Sequence, residues 1–140
     1  MQKIQVARFK VQEIRKTSIN QLFIQKMSQQ LEERFGYFGA KVRDFCTALK
    51  WDVINNAYVS QVIRSSGSVG ANYIEASDSL GKADELMKLK IARREAKETN
   101  HWLKLLLTYD DNILEEERAR LINECEQIKL ILSAIINKLG

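Results

Sequence analysis

The sequence predicts an all-α protein: an antiparallel up-down-up-down four-helix bundle preceded by an N-terminal extension. Three observations carry this expectation. The 140 residues contain no proline and only six glycines, so the turn residues of a many-stranded architecture are missing. Apolar residues make up 45% of the chain and charged residues 29%, a balance that supplies one domain core and argues against disorder. Within the chain the apolar positions recur at steps of three and four, the period of a helix. The expected division is a basic extension over residues 1–28 and the bundle over residues 29–140.

In the first bundle helix, Leu31, Phe35, Phe38, Val42, Phe45 and Leu49 form one stripe. Asp52, with Asn55 or Asn56, supplies capping residues for a second helix that carries Ala57, Tyr58, Val62, Val69, Tyr73 and Ile74 and fades near Ser79-Leu80-Gly81. A third opens around Ala83-Asp84-Glu85, where acidic side chains suit the positive end of the helix dipole. It buries Leu86, Leu89, Ala96, Leu103 and Leu107 and is expected to run to about Tyr109. The fourth follows the capping cluster Asp110-Asp111-Asn112, with Leu114, Leu121, Ile128 and Ile135 seven apart and Cys125, Leu132 and Leu139 between them. Short connections between long helices make neighbours antiparallel. In the extension the period does not decide: Ile4, Val6, Phe9 and Val11 partly alternate as in a strand, while Ile4, Ala7, Val11 and Ile14 fit a helix, and Ser18 could cap a later one.

The second helix contains a run of small residues where a freestanding helix would place better formers. A mid-helix glycine costs about 0.8–1 kcal/mol relative to alanine, so packing should offset Gly67 and Gly70; with Ala71 they form a smooth strip for close approach of another helix. On an adjoining stripe, Arg64, Ser68, Asn72 and Glu75 form a polar ladder. A turn near 81 to 82 makes opposed residues of the second and third helices have numbers adding to about 163. Arg64 then faces Glu98 and Thr99, Ser68 faces Glu95, and Glu75 faces Lys88. These groups read either as a network specifying the bundle or its assembly, or as exposed ion pairs contributing about 0–1 kcal/mol each.

Charge is uneven. Residues 1 to 26 hold six basic side chains against Glu13 alone, a net +5, which leaves the remaining chain at −1 within the total of +4. Between Lys82 and Leu107 seven basic residues oppose four acidic ones, and between 110 and 138 four basic residues oppose seven. A basic face suits phosphate, and a basic helix of one subunit also suits the acidic helix of a neighbour.

The segments Ile63 to Ala76 and Lys90-Ile91-Ala92-Arg93-Arg94-Glu95-Ala96-Lys97-Glu98-Thr99-Asn100-His101-Trp102-Leu103 resemble the bacterial four-helix-bundle family of 23S rRNA intervening-sequence proteins, over roughly residues 30 to 139. The resemblance implies an antiparallel bundle that assembles as a closed ring, commonly a pentamer, without demonstrated catalysis. A related branch, the accessory variability determinant of diversity-generating retroelements, is basic and binds nucleic acid and a reverse transcriptase; the bundle portion of the present chain is near neutral.

No residue pattern supports an enzyme, a metal centre or a cofactor. Cys46 and Cys125 and the single histidine supply neither a metal set nor a nucleophile with its base, and Glu98 with His101 is a lone i, i+3 pair where a di-metal bundle needs two. Trp102 and Trp51 could stack on bases, but aromatic residues at helical spacing are more often core or subunit-contact residues, and Trp102 reads as packing. The most apolar stretch, Leu130 to Ile136, is far short of the roughly 20 residues of a membrane span, and with no apolar leader block a cytoplasmic location is expected. The expected function is that of a non-catalytic oligomeric scaffold binding structured RNA or DNA. Lys90, Arg93, Arg94 and Lys97 on the bundle and Lys10, Arg15 and Lys16 on the extension are the candidate phosphate contacts. The alternative is a protein–protein interaction module with no nucleic-acid role, whose partners would be its own copies, a reverse transcriptase or another protein.

Overall fold

The computed structural model describes residues 2–140. Its helices are α1 (Gln2–Ala48), α2 (Val53–Ser77), α3 (Lys82–Leu105) and α4 (Asn112–Leu139). The chain divides into two compact units, one ending at Leu31 and the other spanning Glu32–Gly140, and α1 contributes to both.

In the first unit the extension is helical from Gln2 onward, so Ser18 lies mid-helix and caps nothing. The first glycine of the chain is Gly36 and there is no proline, so nothing in this segment breaks a helix. Residues 2–27 are all exposed.

The second unit is the bundle. Asp52 caps α2 by accepting from the Asn55 amide at 2.7 Å, and Asp111 caps α4 by accepting from Leu114 at 3.0 Å. The core takes Phe35, Phe38, Val42 and Phe45 from α1, Val62, Val69 and Tyr73 from α2, Leu89, Ala92, Ala96 and Leu103 from α3, and Leu121, Cys125, Ile128 and Leu132 from α4. Each large aliphatic or aromatic side chain so buried contributes about 1.5–3 kcal/mol. At the end of α4 the buried residue is Ile136 rather than Ile135, because a straight helix drifts about 20° per heptad.

α2 and α3 run antiparallel in the register that a turn near 81 to 82 requires. Arg64 meets Glu98, Glu75 meets Lys88 at 2.7 Å, and the buried hydroxyls of Ser65 and Thr99 lie 2.8 Å apart. Ser68 departs from that expectation. Its hydroxyl donates to its own helix at Arg64 O, and Asn72 donates to Ser68 O, so neither crosses to α3.

α3 stops at Leu105, four residues before the expected Tyr109. Long-range partners satisfy the backbone that the helix would otherwise have paired. The buried Asn55 amide donates to Lys50 O and Leu107 O, both at 3.0 Å, and accepts from Leu107 N at 2.8 Å. The Arg118 guanidinium donates to the Leu103, Lys104 and Leu106 carbonyls, the last orphans of α3. The chain then turns through Tyr109 and Asp110 with positive φ of 54° and 63°. This left-handed pair is held by a Tyr109 hydroxyl bond to Asp52 and by Lys50 Nζ lying 4.8 Å from the Tyr109 ring centre.

Of the expected strip, Gly70 is the member that faces α1 and packs against it, with Gly39 of α1 opposite Ser66. A Cβ at Gly70 would stand 3.5 Å from Phe35 Cβ, and one at Gly39 would stand 3.6 Å from Ser66 O. Gly67 and Ala71 are exposed, and a Cβ at Gly67 would meet nothing within 4 Å. The reason is helical phase: Gly70 shares the inward face with Ser66 and Tyr73, while Gly67 and Ala71 stand beside it on the outward one.

Candidate nucleic-acid surface on the third helix

The outward face of α3 is a ladder of cations. Lys90, Arg94, Lys97 and Lys104 are exposed, with exposed His101 completing steps of four, three, four and three. At 1.5 Å per residue the ladder runs about 21 Å, with neighbouring rungs about 4.5–6 Å apart along the axis. No ion pair joins any of the four cations to another described residue.

Lateral segregation of charge produces this face. The nearby carboxylates on α3 point to α2, where Arg64 reaches Glu98 at 2.8 Å and Glu95 at 3.3 Å. Arg64 and Glu98 are about half-exposed, at 51% and 43%, whereas the Glu95 side chain is 13% exposed. The pairing contributes about 1–2 kcal/mol, most of it from the sheltered Glu95 contact. Its larger effect is on the field: two negative charges are neutralised and turned away from the cationic ladder.

Arg93 stands apart from the other sequence candidates. It is half-buried and donates to Ser133 on α4 at 3.3 Å, as a tie between helices. Lys10, Arg15 and Lys16 are exposed on the α1 part of the first unit. Trp102 is half-buried, 6.0 Å from the Tyr58 ring and 4.9 Å from His101. Asn55, expected as a capping residue, instead shapes the α3–α4 connection while Asp52 alone caps α2, and the part played there by Arg118 has no sequence signal. The one local signal was an asparagine, a poor helix former, in the first turn of α2.

Among the described residues no group of three His, Cys, Asp or Glu side chains is placed to hold a metal ion, and no helix is long and apolar enough to cross a membrane. Cys46 and Cys125 are buried. Burial pushes the Cys46 thiol up to about 11 and the Cys125 thiol up to about 12. The Cys125 thiol donates to Ala96 O at 2.9 Å. Neither is an activated nucleophile at neutral pH.

No curated protein matches the chain. Among solved structures it is similar to a protein with unknown function from the S23 ribosomal protein family of Bacteroides thetaiotaomicron VPI-5482. The two share 28% sequence identity at a TM-score of 0.65, over 79% of this chain and 97% of the other. The family model of the 23S rRNA-intervening sequence protein matches residues 45–134, a span that holds α2, α3, the cationic ladder and most of α4. With most of its bundle matched in this way, the chain belongs to the 23S rRNA-intervening sequence protein family.

Proposed function

We propose that the protein is a non-catalytic helical-bundle scaffold that binds structured RNA or DNA through phosphate contacts from Lys90, Arg94 and Lys97, with Lys104 extending the surface. The observation that carries this reading is the engagement of Glu95 and Glu98 by Arg64, which leaves the adjoining cations without a carboxylate. A cation without an ion pair loses no existing contact when a phosphate arrives, and several in line add their counterion release. Arg93, bound to Ser133, contributes to helix packing.

Self-association belongs to the same proposal. Gly67 and Ala71 form an outward strip on α2 beside Ile63 and Ile74, which are 39% and 52% exposed. A second copy, in a closed ring of the pentameric kind implied by the family resemblance, would cover that strip and repeat the cationic ladder around an axis, so that weak phosphate contacts add.

The experiment is the affinity for a labelled RNA hairpin near 100 mM salt. Combined Lys90→Ala, Arg94→Ala and Lys97→Ala substitutions are expected to lower affinity on the order of 100-fold, whereas Arg93→Ala leaves it within a few-fold. Equal affinity of the triple variant and the parent would reject the phosphate surface and favour a purely protein-binding module.

A further inference from the structure

The first unit carries an apolar seam that has no covering within the described chain. Ile4, Ala7, Val11 and Ile14 follow one another at steps of three and four along α1, occupying the a and d positions of two heptads before the polar Ser18 at the next a; Ile4 is 61% exposed, Val11 49% and Ile14 66%. The flanking positions are basic on both sides. Lys3 and Lys10 fall at g, Arg8 and Arg15 at e, and none of the four has an ion pair among the described residues. The sole acid of the segment, Glu13, falls at c, away from the seam.

This arrangement selects its occupant by charge. Against a second copy in parallel, Lys3 would face Arg8 and Lys10 would face Arg15; antiparallel, lysines would face lysines and arginines would face arginines. Both orientations repel. A nucleic acid would satisfy the cations and leave Ile4, Val11 and Ile14 in water. A lipid surface calls for one wide apolar face with the charges gathered opposite it, whereas the exposed apolar side chains here are spread around the helix, with Val6, Phe9, Ile19 and Phe23 away from the seam and interspersed with Glu13 and Lys16.

We propose that the α1 segment from Lys3 to Ser18 is a heterotypic coiled-coil arm for a helix of another protein, with apolar residues at a and d and Asp or Glu at e and g. Such a helix covers the seam and pairs with all four flanking cations, and the same charges exclude the arm's own copies. This assignment is independent of the α3 surface and gives the extension a protein partner in place of phosphate.

The test uses the full-length protein and a labelled synthetic peptide of four heptads with Ile at a, Leu at d and Glu at e and g, compared with the same peptide bearing Lys at e and g. The expected result is at least tenfold tighter binding of the Glu peptide and loss of that binding in Val11→Asp. With Arg8→Glu and Arg15→Glu together, the preference should move toward the Lys peptide. The proposal is overturned by equal binding of both peptides, by no binding of either, by Glu-peptide binding that survives Val11→Asp, or by retention on phosphatidylglycerol vesicles at concentrations where the Glu peptide does not bind.

Discussion

Arg64 Nη2 lies 2.8 Å from Glu98 Oε2, an ion pair that joins α2 to α3 and also decides the charge of the neighbouring surface. Glu98 is four residues from Arg94, the spacing at which a released carboxylate would pair along its own helix. Arg64→Ala is therefore expected to cost about 1–2 kcal/mol, because Arg64 and Glu98 are half-exposed while the sheltered Glu95 loses its partner, and to weaken RNA binding several-fold. Thermal unfolding and RNA titration on the same variant separate the two effects. An unchanged RNA affinity would show that the carboxylates do not shape the ladder.

The Asn55 side chain bonds both peptide groups of Leu107 from within the core. Asn55→Ala would leave the Leu107 N–H and carbonyl unpaired at a buried connection and is expected to cost about 2–4 kcal/mol. Urea unfolding measures this, and a loss under about 0.5 kcal/mol would mean that water replaces the amide without penalty.

The two glycines of α2 should respond in opposite directions. At Gly67 an added methyl meets open space, so Gly67→Ala is expected to stabilise the isolated bundle by about 0.5–1 kcal/mol through helix propensity. Gly70→Leu would push against Phe35 and the Gly36 backbone and should cost about 1–3 kcal/mol or more. Equal losses for Gly67→Leu and Gly70→Leu in chemical denaturation would contradict the assignment of the α1–α2 contact to Gly70. If Gly67→Leu folds normally but changes the mass in solution, the outward strip is an assembly surface.

Much of this bundle is legible from local pattern. The apolar stripes from Phe35 to Phe45 and from Leu121 to Leu132, and the caps at Asp52 and Asp111, depend on neighbours a few residues away, which a sequence displays directly. The α2–α3 register follows from one short turn. The end of α3 is another matter, because Asn55 and Arg118 reach it from distant parts of the chain and override the local helical pattern through Tyr109. The candidate surface is legible only in part. Summed charge marks α3 as basic, but orientation decides that Arg93 turns to Ser133 while Lys90, Arg94 and Lys97 stay exposed.

Buried thiols give a pH dependence with a definite sign. The thiols of Cys46 and Cys125 are raised from about 9 to about 11 and about 12, so the unfolded chain loses these protons first. Their stabilising contribution is whole below about pH 9 and is lost as pH rises toward 11 to 12, by an amount on the order of a few kcal/mol. Stability measured from pH 8 to 11 should fall less steeply in Cys125→Ala than in the parent. Parallel slopes would show that thiol ionisation is not linked to unfolding.

The salt dependence of RNA binding tests the cationic ladder most directly. Phosphate contacts make the logarithm of affinity fall linearly with the logarithm of salt concentration, at about 0.9 per contact on a duplex. Removing Lys90, Arg94 and Lys97 together should reduce that slope by about 2–3. A slope identical in the parent and the triple variant would contradict the account.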